Sequence, residues 1–314
     1  MNNSNRQKNF LIFIVGPTAI GKTARSIEIA KHFGCEIVSC DSRQFFKEMT
    51  IGTAVPSSEE LAQIPHHFIQ NKSIHETYNV GDYEREVIPY LDSLFLKNKI
   101  QIVVGGSGLY VDAIAKGFDY FPEVSQEIKD EIDAIYLQNG IEGLSYLLEK
   151  HDAEYFSFLT NNNPQTLANP QRMKRFIAVC LASGKPYSSF LDQEKHQRNF
   201  TPIYIGLEAP RAIMYERINQ RVDQMVHNGL LNEVKNLKEF KNLNALQTVG
   251  YREFFDFLDG QIPLETAIEE VKKNTRRFAK RQLTWFKRNE ETMWFDFQES
   301  TKNIIASIEQ KIHD

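Results

Sequence analysis

The chain is poor in the features that would take it out of the ordinary globular class. It has three cysteines in 314 residues, Cys35, Cys40 and Cys180, with no C-x-x-C pair among them. That excludes a disulfide framework, argues against a structural zinc, and predicts buried thiols in a reducing compartment. Long hydrophobic runs are missing. Behind the polar opening MNNSNRQKN, the apolar stretch spans only residues 10 to 15, too short for a signal-peptide core or a membrane span. A cytoplasmic protein with no membrane partner is expected. Net charge is small, −4, so any polyanion must be met by local clusters of Lys and Arg rather than by the whole surface. Internal repeats and low-complexity tracts are absent as well. What remains, 41% apolar and 25% charged, suits a chain that buries a core, and its length suits two lobes.

The run FLIFIV, ending at the glycine that opens GPTAIGKT, reads as a buried parallel strand feeding a loop and then a helix that begins near Gly21. CEIVSCD at 35 to 41 and IQIVVGG at 100 to 106 read as two more buried strands with polar or glycine residues at their carboxyl ends. Such βαβ alternation predicts an α/β fold, a parallel sheet flanked by helices, with ligands beyond the carboxyl ends of the strands. From residue 123 the pattern turns helical, and TPIYIGLEA at 201 to 209 restores strand character. A core over 1–122, a helical insertion over 123–200, and a remainder over 201–314 with helices and a last strand, TMWFDF, are expected.

Four motifs carry chemistry. Gly16, Gly21, Lys22 and Thr23 complete G-x-x-x-x-G-K-[ST], where backbone amides and a helix N-terminus surround phosphate oxygens, Lys22 contacts them and Thr23 meets a Mg²⁺ ion. The loop identifies a phosphate compound, with no indication of what hangs from it. Asp41, ending the second strand in CDSRQFF, should sit at the same sheet edge, where a carboxylate beside a diphosphate suits a metal ligand or a general base. The neighbouring Ser42, Arg43 and Gln44 read equally well as a solvated loop. GGSGLY at 105 to 110 permits close approach of a ligand or another segment, and it has neither the spacing nor the place of a nicotinamide fingerprint. Arg217 and Arg221, four apart on one helix face, are candidates for neutralising a leaving group, with surface solvation as the alternative.

The segment VKKNTRRFAKRQLTWFKR, residues 271 to 288, carries eight basic residues and no acidic one. Helical spacing places Lys273, Arg276, Arg277 and Lys280 along one stripe, with Val271, Phe278 and Trp285 toward a core. A second basic patch, QRMKR at 171 to 175, lies in the insertion. Two separated patches point to a long polyanion.

Taken in order, GPTAIGKT, DSRQFF, IGTAVP at 51 to 56, GGSGLY, NPQRMKR, QTVGYRE at 247 to 253 and RRFAKRQLTWFKR resemble the tRNA dimethylallyltransferases across nearly the whole chain. The resemblance implies a P-loop NTPase-like fold and transfer of a dimethylallyl group from its diphosphate to the N6 amine of adenosine 37 in tRNA, with Mg²⁺ and without ATP hydrolysis. It makes Asp41 the general base, Thr18 a partner of the diphosphate's bridging region and Arg221 a clamp on the leaving group. Gly16, Pro17, Thr18, Ala19, Ile20, Gly21, Lys22 and Thr23 then hold the diphosphate. It assigns to tRNA the positions Asp41, Ser42, Arg43, Gln44, Ser107, Lys129, Gln171, Arg172, Met173, Lys174 and Arg175. Thr248, Val249, Gly250, Tyr251, Arg252, Glu253, Arg276, Arg277 and Lys280 complete the RNA set, and the insertion would grip the anticodon arm of a tRNA bound to a monomer. Two departures stand out: Ser107 replaces a frequent threonine, and Phe46 lacks the hydroxyl of a commoner tyrosine. A P-loop kinase of a nucleoside or small metabolite shares the loop and the carboxylate but leaves the basic segment unexplained.

Overall fold

A computed structural model describes residues 8–191 and 197–314. The first seven residues of the polar opening, and residues 192–196 near the expected end of the insertion, lie outside them. The sheet has six strands, β1 (Asn9–Val15), β2 (Ile37–Ser39), β3 (His66–His67), β4 (Ile100–Val104), β5 (Phe200–Glu208) and β6 (Met293–Asp296), in the order β3-β2-β4-β1-β5-β6. Every pairing is parallel, so all carboxyl ends lie along one edge. The two-residue β3, joined to β2, is too short to leave any periodicity in the sequence.

The alternation of side chains along the central strand builds both layers of the core. Leu11, Phe13 and Val15 pack with Val38, Val103 and Tyr204 on one face, while Phe10, Ile12 and Ile14 pack with Ile37, Ile102 and Ile205 on the other. At about 1.5–3 kcal/mol per buried large apolar side chain, such a two-faced strand contributes strongly to the fold, which is why it reads as an uninterrupted apolar run.

Helices α1 (Lys22–Phe33), α2 (Ser58–Leu61), α3 (Val80–Lys97) and α4 (Gly108–Lys116) follow the first strands. Tyr83, Val87 and Leu91 of α3 cover one face of the sheet, and Ile27 and Ala30 of α1 the other. The chain forms two compact units, Met1–Lys116 with Gln197–Asp314, and Gly117–His196. Among its described residues the second has helices and no strand, with α5 (Gln126–His151), α6 (Ala153–Asn162), α7 (Pro164–Leu167) and α8 (Pro170–Ser183). It has a core of its own around Leu144, Leu148, Met173 and Ile177. Helix α5 breaks at Gly140, where φ is 61°.

The first unit resumes after β5 with α9 (Arg211–His227), α10 (Leu230–Asn236), α11 (Arg252–Leu258), α12 (Leu264–Phe286) and, after β6, α13 (Thr301–His313). The sequence pattern reads as one helix across 210 to 234, and Gly229, at φ 98°, divides it into α9 and α10. Helices α9 to α12 pack around Val222, Leu230, Tyr251, Phe254 and Val271.

Candidate active site

The loop after β1 is shaped by backbone conformations that few residues tolerate. Gly16 has φ 144°, Ala19 φ 64° and Gly21 φ 106°, all positive, where a Cβ is strained. A Cβ on Gly16 would also lie 2.6 Å from the Leu207 carbonyl of β5. Helix α1 starts immediately after with no side-chain cap, so its first amides remain available to an anion, which the helix dipole also favours. Lys22 reaches back along the loop, its Nζ donating to the carbonyls of Gly16 (3.0 Å) and Pro17 (2.9 Å). Burial pulls its ammonium down to about 8, the Asp41 carboxylate opposing the shift and Arg221 adding to it.

Beyond β2, the Asp41 Oδ1 accepts the Arg43 amide at 3.1 Å, closing a turn. Ser107 locks that turn to the end of β4, since its Oγ accepts the Ser42 amide at 3.1 Å and donates to the Ser42 hydroxyl at 3.1 Å. Its hydroxyl is therefore used structurally here. Arg43 donates to the carbonyls of Asn244 and Ala245, and Gln44 donates to those of Thr53 and Ala54. Both side chains thus fasten loops around Asp41. The Phe46 ring is buried beside Met49 and Ile74, an apolar setting in which a hydroxyl would need a partner.

Two cavities meet at this edge. One, about 690 Å³, is lined by Lys22, Thr23, Asp41, Arg217 and Arg221 around the phosphate loop. The other, about 460 Å³, is lined by Ser42, Arg43, Ser107, Thr248, Val249, Gly250, Arg281 and Trp285. Thr18, Thr53, Asp41, Arg221, Phe278 and Gln282 border both. The arginine pair divides its work: Arg217 donates through Nε to the Ala19 carbonyl at 2.9 Å and lies over the Phe297 ring, so it braces the loop. Arg221 has no hydrogen bond or ion pair among the described residues, and its guanidinium is pulled below its usual range by burial, with Asp41 and Glu60 opposing. It is the uncommitted cation facing both cavities.

Basic helix α12 departs from the sequence reading. Its buried positions are Ala267, Val271, Ala279, Gln282 and Phe286, whereas Phe278 is 39% exposed and stands at the rim of the two cavities. Phe278 lies on the same face as Val271 and Gln282, about 20° and about 40° round from them, and it is exposed because that part of the face opens onto the two cavities and not onto packed core. The basic stripe narrows too. Lys273 is paired with Glu270, and Arg276 donates to Asn219 (2.7 Å) and lies over Tyr215. Arg277 and Lys280 are exposed and free of ion pairs among the described residues.

Three positions assigned to RNA have buried side chains. Met173 is in the core of the second unit. The Tyr251 hydroxyl donates to Glu233 at 2.6 Å, and Glu253 accepts from the Gly250 amide and from Asn274. Any RNA contact at these three positions is through backbone; their side chains hold the segments in shape. Lys129, Gln171, Arg172 and Arg175 are exposed. Lys174 is engaged with Asp133 at 2.6 Å and with the Tyr136 ring. Arg252 is exposed beside the half-buried Thr248 and Val249.

Two residues that organise the site escape a motif reading. Glu233 of α10 accepts the amides of Thr50, Ile51 and Gly52 and the Tyr251 hydroxyl, pinning IGTAVP to VGYRE. Gln282 of α12 accepts the Thr18 amide at 2.9 Å and donates to the Gly106 carbonyl at 2.9 Å. The signal for Gln282 was the glycine cluster. A Cβ on Gly106 would lie 2.2 Å from Gln282, and one on Gly108 2.2 Å from Trp285, so these glycines exist to admit α12.

A family profile described as IPP transferase matches residues 44–289. The tRNA dimethylallyltransferase of Flavobacterium psychrophilum is 62% identical over 97% of this chain and 99% of its own. Among solved structures, the full-length tRNA isopentenylpyrophosphate transferase of Bacillus halodurans is similar with a TM-score of 0.70 at 34% identity, covering 98% of this chain and 96% of that one. A eukaryotic dimethylallyltransferase shares the fold, with a TM-score of 0.81 at 24% identity over 98% of this chain and 80% of that one. With its fold a P-loop NTPase-like sheet and its likeness running end to end, the chain belongs to the IPP transferase family.

Proposed function

We propose that the protein transfers a dimethylallyl group from dimethylallyl diphosphate to the N6 amine of adenosine 37, 3′ of the anticodon in tRNA, acting as a cytoplasmic monomer. The observation that carries this reading is the meeting of two cavities at Asp41 and Arg221. The phosphate-loop cavity takes the donor and the other takes the base, so the allylic carbon and the amine come together at their border. An adenosine stacked in an anticodon loop cannot reach such a carbon, so the base is turned out of the stack.

In the reaction the bond between the allylic carbon and the bridging oxygen breaks, the carbon joins N6, and the N6 proton passes to the Asp41 carboxylate. An aromatic amine is a weak nucleophile, so alignment of amine and carbon contributes a large share of the rate. Lys22 and Arg221 balance the charge that develops on the departing diphosphate. Thr18, on the border of both cavities, is placed to meet the bridging oxygen.

A divalent cation fits this oxygen-rich edge. The Thr23 hydroxyl and the Asp41 carboxylate line the same cavity, and hard oxygen donors together with substrate phosphate are the ligands Mg²⁺ prefers. When bound, Mg²⁺ would neutralise part of the diphosphate charge. Exposed Arg277 and Lys280 on α12, and Gln171, Arg172 and Arg175 on α8, are the side chains we assign to the RNA backbone, the helical unit to the anticodon arm. No helix among the described residues is long and apolar enough to cross a membrane.

The test is incubation with labelled dimethylallyl diphosphate and an unmodified anticodon stem-loop. Label should pass to the RNA, to N6 of the adenosine 3′ of the anticodon, with diphosphate released and no ADP formed from added ATP. Stoichiometric ADP release with a small acceptor, and no labelled RNA, would replace this reading with a kinase.

A further inference from the structure

We propose that Gln282 is a positioning residue that makes the phosphate loop sensitive to RNA on α12, so that RNA and donor strengthen each other's binding. This rests on the reading that α12 meets RNA. Gln282 is 6% exposed, and both ends of its amide are occupied, accepting from the Thr18 amide and donating to the Gly106 carbonyl. The two partners lie on the loop after β1 and just past the end of β4, neighbouring strands of the sheet, and this one side chain ties both segments to α12. Breaking either bond without replacement leaves a buried polar group unpaired, so a movement of the helix is passed on to the loop.

The outer face of the same helix turn presents Phe278, Lys280 and Arg281. Arg281 and Phe278 line the cavity assigned to the base. Backbone phosphate or a nucleotide base on that face therefore acts on the rigid element that sets the position of Thr18. The Thr18 amide is already committed to Gln282, so the pose of the loop depends on where α12 lies.

The experiment uses an unreactive donor, dimethylallyl thiolodiphosphate with sulfur as the bridging atom, and an unmodified anticodon stem-loop. Calorimetry gives donor affinity with and without saturating RNA, for the wild type, Gln282→Met, Gly106→Ala and the double variant. Methionine keeps the volume and removes both hydrogen bonds. Alanine at Gly106 displaces the Gln282 amide from the other side. In the wild type RNA should raise donor affinity about fivefold or more, and donor should raise RNA affinity by the same factor. Both single variants should reduce the factor below about twofold, measured as the ratio of donor affinities with and without RNA and so independent of any change in RNA affinity itself, and the double variant should add nothing to either. Equal coupling in wild type and Gln282→Met overturns the proposal, as does a wild type without coupling. A wild type that binds no RNA removes the functional reading itself, an outcome visible before any variant is made.

Discussion

Replacing Asp41 by asparagine isolates the carboxylate from the shape it occupies. Asparagine keeps Oδ1, which can still accept the Arg43 amide now held at 3.1 Å. The Arg43 side chain is fastened to the carbonyls of Asn244 and Ala245, and Ser107 holds Ser42, so the turn has three supports that do not involve the charge. What disappears is the proton acceptor. General-base removal costs about 10² to 10⁴ in rate, or about 2.7–5.4 kcal/mol of barrier at about 1.36 kcal/mol per tenfold. Single-turnover transfer at saturating donor and RNA should fall by that amount while both affinities stay within a few-fold. A side effect follows from the electrostatics. The Asp41 carboxylate is the largest influence favouring the charged form of Lys22, so Asp41→Asn moves the ammonium further below about 8, and the assay belongs near pH 7 or lower. If single-turnover chemistry at saturation stays near wild type while Mg²⁺ and donor affinity are lost, Asp41 is a metal ligand and the proton goes elsewhere.

Donor affinity in the wild type should be flat below pH 8 and decline above it, because the free-state Lys22 ammonium titrates near 8 and only its protonated form offsets the diphosphate; titration of the unreactive donor across pH 6.5 to 9.5 reads this, and Lys22→Ala should abolish the break together with most of the affinity, leaving RNA binding intact. Arg277→Ala with Lys280→Ala should weaken RNA binding and flatten its dependence on salt, each lost phosphate contact reducing the log–log slope by about 0.7–0.9, an unchanged slope meaning a merely solvated face. Arg276→Ala should instead lower stability through its lost bond to Asn219 and its contact with Tyr215, visible in urea unfolding. Glu233→Ala strips four donors of their acceptor, and the buried Tyr251 hydroxyl alone should cost about 1–3 kcal/mol in the same assay; Tyr251→Phe in that background should recover part of the loss, and failure to do so would place the damage in the Thr50–Gly52 turn.

How much could be read beforehand follows from how local each feature is. The phosphate loop, the apolar strand before it and the carboxylate after the second strand each fall within about ten residues, and local pattern finds them. Val271 and Phe278 are seven apart and differ by only about 20° around the helix, so spacing groups Phe278 with the buried positions 267, 271, 279, 282 and 286; its exposure comes from the cavities that this part of the face borders, which no spacing reveals. Arg217 and Arg221 share a helix face, yet only the course of Ala19 reveals that one is spent on the loop. Gln282 and Glu233 work by hydrogen bonds to segments far away in sequence, 176 residues for Gln282 to Gly106 and 181 for Glu233 to Gly52. No window along the chain contains both ends.

The place of β1 in the sheet has a consequence for synthesis. Its edges are covered by β4 and by β5, with Phe10 against Ile100 and Asn9 against Phe200. At about 5–20 residues per second on the ribosome, the second edge of the most apolar strand in the protein waits roughly 10–40 seconds for its partner. The whole helical unit must be made in that interval. Since that unit has its own core, it can fold while β1 stands half paired, and the nascent chain then carries an unpaired hydrophobic edge of the kind that chaperones bind and aggregates nucleate on. The phosphate loop hangs from that strand, so its final shape, held against Leu207 of β5, is set only after about two thirds of the chain has been translated.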